Sequence, residues 1–151
     1  MRAKLRGQKT QYHHGDLKRA LMDAALTLID IRGRAALTLR ETARRVGVSE
    51  AAPYRHFSNL DNLLGAVALE GYDMLIADLE SVGSIRATKA AYHDFARDFP
   101  GRYELMFGPL ADRKAVNQRK KAVARLDELT KPAGGLATLH GEASLALAGL
   151  I

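Results

Sequence analysis

Three consecutive side chains, Tyr54, Arg55 and His56, place a phenol, a guanidinium and an imidazole within one helical turn. Each can donate to a phosphate oxygen or to the edge of a base. Just before them stand Ala51, Ala52 and Pro53, none with a long side chain. A helix beginning there can approach another surface closely, and its positive dipole end favours phosphate. Pro53 suits the first turn of such a helix, where backbone N–H groups have no intrahelical partner. The chemistry on offer is recognition of a polyanion.

Bond-making chemistry has less support. No His-Glu-x-x-His pair, nucleophile elbow or phosphate loop occurs, and the absence of cysteine removes thiolate metal sites and cysteine nucleophiles. His13 and His14 are adjacent, so they lack the i, i+4 spacing that puts two imidazoles on one helical face. They read as part of an arm with "RAKLRGQK" that reaches along a nucleic-acid backbone or into a minor groove, or is disordered. His93 and His140 are single histidines and read as structural. No metal and no cofactor are expected.

Charge placement points the same way. The net charge is +6, but residues 1 to 59 hold 12 Lys/Arg against 5 Asp/Glu, while residues 60 to 151 hold 11 against 12. The positive field therefore sits on the N-terminal third, which suits nucleic acid or an anionic membrane surface. No apolar run reaches the roughly 18 residues that span a bilayer, and the basic N-terminus lacks a secretory apolar core. A soluble, cytoplasmic protein with no membrane partner is the expectation.

Helical periodicity supplies the frame. Leu17, Leu21, Ala24, Ala25, Leu28 and Ile29 recur at spacings of three and four between a start at Gly15-Asp16 and a stop at Gly33. "TLRETARRVG" opens with Thr38 as N-cap and Glu41 three residues on, a capping box, and ends at Gly47. Its apolar face is Leu39, Ala43 and Val46. Ser49 then caps a new helix starting Glu50, Ala51, Ala52, with Val48 and Phe57 as anchors. Helix, glycine turn, helix is a helix-turn-helix, whose second helix enters the major groove; a helical hairpin in an ordinary bundle is the alternative.

"TLRETARRVGVSEAAPYRHFSNLDNLLGAV" resembles the DNA-binding domain of the tetracycline-repressor (TetR) family of bacterial regulators. The match rests on Thr38, Ala43, Gly47, Val48, Ser49, Tyr54, His56, Phe57, Leu63 and Leu64, and extends back through "YHHGDLKRALMDAALTLIDIRG". The resemblance implies an all-α chain: a three-helix DNA-binding domain over residues 12–75, with its helix-turn-helix at about 38–57, then a helical effector-binding and dimerisation domain over 76–151. It implies phosphate contacts from Thr38, Tyr54 and His56, with Arg40 and Arg44 as further candidates. It sets Ser49, Glu50, Ala51, Ala52 and Arg55 nearest the bases, where Glu50 can accept from a cytosine amino group and an alanine methyl can touch thymine. Leu60 stands where the family usually has Lys, which removes one phosphate contact, and Thr42 where it often has Ile, which loosens the core.

Beyond Leu79, "SVGSIR" breaks the fourth helix and Pro100-Gly101 breaks the next. Tyr92, Phe95, Phe99, Tyr103, Met106 and Phe107 recur at helical spacing, and either line an effector cavity or form the core between helices. "FARDFPGRYELMFG" and "LATLHGEASLALAG" resemble the C-terminal domain of the TetR subgroup named for its Trp, His and Gly motif. His140 and Gly141 match; the chain has no Trp. The C-terminal domain also reads as shortened, since family members usually run longer.

The resulting expectation is a homodimeric, ligand-responsive repressor that binds near-palindromic double-stranded DNA and answers to a small-molecule effector. Two rivals stand beside it: a small helical enzyme or ligand-binding module using the Tyr92 to Phe107 cluster, without an acid–base constellation, and a protein–protein adaptor with a redundant helix-turn-helix.

Overall fold

A computed structural model describes residues 14–151, which form α1 (His14–Arg32), α2 (Leu39–Val46), α3 (Leu60–Glu80), α4 (Ile85–Asp98), α5 (Pro100–Phe107), α6 (Arg113–Thr130) and α7 (Leu136–Leu147), with three short 3-10 segments and no strand among them. The chain is all-α, as its periodicity implies. The His13 side of the histidine pair and the basic arm lie outside the described residues. Gly15 and Asp16 fall in the first turn of α1 as described.

Local chemistry sets most boundaries. Thr38 Oγ1 accepts the Glu41 N–H at 3.1 Å and begins α2. The expected capping box is only half made, because the Glu41 carboxylate turns to Arg32 Nη1, 3.0 Å away, and ties α2 to α1. Gly47 adopts φ 81°, the left-handed region that a side chain would strain, and the Val48 N–H closes back on Ala43 O at 3.1 Å. Asn59, Ser84 and Asp112 cap α3, α4 and α6 by accepting the N–H groups of Asn62, Ala87 and Ala115.

Two apolar cores result, and α3 belongs to both. Leu21 and Ala25 of α1, Leu39 of α2, Phe57, and Leu63, Leu64 and Val67 of α3 close the first. Tyr72, Leu75 and Leu79 of α3 join Tyr92, Phe95, Met106, Leu126 and Leu139 in the second. The 21 residues of α3, about 31 Å long, are thus the spine between an N-terminal head (α1, α2 and the following turn) and a C-terminal body (α4 to α7). The boundary expected at residue 75 falls inside this helix. Thr42 does not loosen the head: it is fully buried, and its hydroxyl donates to Thr38 O at 2.8 Å. Leu60 packs against the first core.

A polar thread crosses the second core. Tyr72 Oη donates to Met106 O at 2.5 Å, and burial pushes its phenol up to about 12. Tyr92 Oη lies 3.4 Å from Tyr103 Oη, which lies 2.5 Å from His140 Nδ1. Burial raises the Tyr92 and Tyr103 phenols and lowers the His140 imidazole, so the hydroxyl and the ring share their hydrogen bond as two neutral groups.

Two outcomes follow from this packing. A Cβ at Gly65 would stand 2.7 Å from the Ala115 Cβ, and neither atom can swing aside without moving α3 or α6. Gly65→Ala should therefore cost about 1–3 kcal/mol, read as a lower urea midpoint. For His140, the folded state holds the neutral form while the unfolded chain takes up a proton near the ordinary value of about 6.5. The stability linked to that ring is complete above this pH and is lost as pH falls below it toward the lowered folded value. His140→Gln should flatten the fall in urea midpoint between about pH 7.5 and 5; an unchanged slope would remove His140 from the account.

Candidate functional site

The turn after α2 carries the DNA-facing candidates, but in a tighter form than its sequence suggested. Residues Ala52–Arg55 make a single 3-10 turn, with Pro53 at its second position and buried in the head. Ser49 does not cap it through its side chain; instead Ser49 O accepts the Ala52 N–H at 3.0 Å. A four-residue turn has no appreciable macrodipole, so the expected dipole contribution to phosphate binding falls away. What holds the turn is Pro53 O, which accepts both the His56 and the Phe57 N–H at 2.9 Å, with Phe57 sunk in the first core.

That anchoring sends the polar side chains outward. Thr38, Arg40, Arg44, Ser49, Glu50, Ala51, Tyr54 and Arg55 are all exposed, and Tyr54 shows 57% of its surface. A large side chain of that exposure gains nothing from its own fold. Ala52 departs from the expectation, since it is half-buried against the first core and offers little to a base. His56 departs in part: it is half-buried and its Nε2 is buried without a partner, so of its two ring nitrogens only Nδ1 is left to offer a phosphate. Arg40 Nε and Glu50 Oε2 pair at 3.1 Å across the turn, linking a phosphate candidate to a base candidate, a contact no helical spacing in the sequence announces.

In the body, the aromatic set divides. Tyr92, Phe95 and Met106 are closed in the second core, and Phe99 is exposed at the α4–α5 junction. Packing among α3, α4, α5 and α7 encloses the first three, so of the six residues read as either cavity or core these three sit in the core. Tyr103 and Phe107 line a groove of about 750 Å³ between α1, α5 and α7, together with His140. Phe107 and His140, with ring centroids 4.3 Å apart, also wall a second groove of about 550 Å³ against α6. Ile29 and Asp30 of α1 and Ser144 and Leu147 of α7 belong to the first groove; their distance in sequence from the aromatic run hid them.

Head and body are tied at polar contacts. Asn62 Nδ2 donates to Asp112 Oδ2 at 2.6 Å, so the first turn of α3 is bonded to the cap of α6, and Ser58 Oγ donates to Asn62 Oδ1. Arg102 of α5 is 4% exposed and pairs with Glu70 of α3 at 2.6 Å, while Arg19 of α1 reaches the other Glu70 oxygen. Among the described residues, no group of three or more metal-ligating side chains converges, and no helix is long and apolar enough to cross a membrane.

Residues 21–67, which span α1 to the first third of α3, match the model of bacterial regulatory proteins of the tetR family. An HTH-type transcriptional regulator of Mycobacterium tuberculosis is 31% identical over 93 residues, 57% of this chain; the matched stretch covers 43% of that relative's length. A protein of unknown function from Rhodococcus sp. RHA1 superposes with a TM-score of 0.73 at 30% identity, over 95% of this chain and 89% of its own. A tetR-family regulatory protein from Rhodococcus RHA1 superposes at 0.63 with 19% identity, over 78% of this chain and 70% of its own. The head thus matches the tetR-family model over residues 21–67, and the chain, a small helical head joined by one long helix to a helical body, shares the fold of a tetR-family regulatory protein.

Proposed function

We propose that this chain is a DNA-binding transcription regulator, acting as a ligand-responsive repressor, whose affinity for double-stranded DNA is set by an effector held in the body. The observation that carries the reading is the turn after α2, which buries Pro53 and Phe57 and leaves Tyr54, Arg55, Arg44 and Thr38 exposed on a basic head. In this reading Thr38, Tyr54, Arg40, Arg44 and His56 through Nδ1 bind phosphate. Ser49, Glu50, Ala51 and Arg55 face bases.

The body is assigned to the subgroup named for its Trp, His and Gly motif, on the strength of His140 and Gly141 in α7. It forms a homodimer, which makes the operator near-palindromic; α7 and the residues after it expose Leu145, Leu147, Leu150 and Ile151, an apolar strip suited to a second copy. A cytoplasmic location goes with binding chromosomal DNA. An effector acts by favouring one head separation over another, so its leverage equals its differential affinity for the two states.

Fluorescence anisotropy with labelled duplex from upstream of this protein's own gene tests the reading. Affinity should fall steeply with salt, with a competitor-resistant preference over unrelated duplex. Tyr54→Ala should weaken binding about tenfold or more, given roughly 1.5–3 kcal/mol for a hydrogen bond to a charged group, while its melting temperature stays unchanged because the side chain is exposed. Full binding by the variant would remove Tyr54 from the interface, and equal binding to both duplexes would reduce the head to a basic surface.

A further inference from the structure

The groove between α1, α5 and α7 has a wall from the head, which the aromatic run did not suggest: Ile29 and Asp30, near the end of α1. Asp30 lies so close to α5 that a Cβ at Gly101 would overlap its Oδ1. Glu104, about one turn further along α5, lines the same groove with Phe107 and the buried Tyr103, and His140 stacks on Tyr103 and packs tilted against Phe107. Both carboxylates are exposed, and among the described residues neither has an ion-pair partner within 4.0 Å. Two guanidinium groups meet Gly108 at one end of the groove, Arg119 through Gly108 O at 2.8 Å and Arg34 beside the same residue, and neither is on the lining.

We propose that this groove binds a small organic cation, an apolar or aromatic body carrying one ammonium group, with Asp30 and Glu104 as its counter-charges and Tyr103 and Phe107 as its aromatic wall. At about 750 Å³ the groove falls in the size range of small-molecule sites, roughly 300–1,000 Å³. Aromatic faces attract cations, and do so more strongly once water is displaced. His140 is held neutral by burial and adds no opposing charge. The neighbouring groove against α6 has no such preference, because Lys120 and Asp127 offset one another on its lining.

The consequence, though not the binding, rests on the regulator reading. A ligand seated here touches α1 of the head and α5 and α7 of the body at once, so it acts on the angle between them without passing through α3.

The test is calorimetry on the full chain without DNA, using three probes of one shape: 2-naphthylmethylammonium, 2-naphthylmethanol and 2-naphthoate. The ammonium should bind at least tenfold more tightly than the alcohol, and the carboxylate more weakly still. Asp30→Asn and Glu104→Gln should each weaken the ammonium at least fivefold, and the pair should erase its advantage over the alcohol; both sites are exposed, and melting curves establish that the variants are folded. Equal binding of all three probes, no binding of the ammonium, or ammonium binding unchanged in both variants would overturn the proposal. Ammonium binding that weakens as protein concentration rises and survives both substitutions would assign the groove to a second copy and overturn it as well. A parallel anisotropy titration with upstream duplex separates the two readings. Release of DNA by the ammonium in the parent chain but not the double variant supports both, whereas charge-selective ammonium binding with no effect on DNA keeps the site and overturns its regulatory role.

Discussion

Glu70 is the residue on which the arrangement of head and body turns. Arg102 is a buried guanidinium, and a charge taken out of water needs a counter-charge with good geometry; breaking such a pair from one side costs about 3–5 kcal/mol. Its Nε has no partner at all, so the 2.6 Å contact with Glu70 carries the compensation. The other Glu70 oxygen receives Arg19. One carboxylate on the spine helix therefore fixes α5 on one side and α1 on the other, and the three helices can cross only where it can reach both.

The remaining junction contacts fit that crossing. Gly65 lets α6 come within side-chain-free distance of α3, and the Asp112 cap of α6 then meets Asn62 in the first turn of the same helix. From Asn62 the hydrogen bonds continue to Ser58, one residue past the Phe57 that anchors the turn after α2. A shift of α6 along α3 is felt at that turn through bonded atoms as well as packing. Small displacements in the body thus have two routes to the head, one through Asp112 and Asn62 and one through the floor where α5 touches α1.

What the sequence discloses is what short-range chemistry decides. Thr38, Gly47 and the Leu17 to Ile29 stripe are legible because capping, left-handed backbone and helical period involve residues only a few positions apart. The turn after α2 was legible in position but not in form: Pro53 is drawn into the head core, and tertiary burial tightens the turn into 3-10 geometry. Glu41 left its capping box for Arg32, a competitor supplied by another helix. The aromatic run was ambiguous in principle, since core and cavity share one period: Tyr103 is buried in the second core beside Tyr92 and yet borders the groove, as Tyr92 does not. The Glu70 junction has no local signature, being an acid 32 residues from one partner and 51 from the other.

Glu50 is an acid on the face proposed to meet DNA, and its pairing decides whether that is an obstacle. Left alone beside phosphates it would repel; paired with Arg40 at 3.1 Å it presents a neutral couple. Both side chains are exposed, and an ion pair in that setting is worth about 0–1 kcal/mol, so exchanging it for a phosphate on Arg40 and a base donor on Glu50 costs little in the free protein. A sequence without a suitable donor leaves Glu50 desolvated and unpaired, and burying an unsatisfied charge costs more than the pair ever supplied. On the proposed reading, the same contact that quiets the acid in the free head would make the head selective on docking, because only the right base edge replaces what Arg40 takes away.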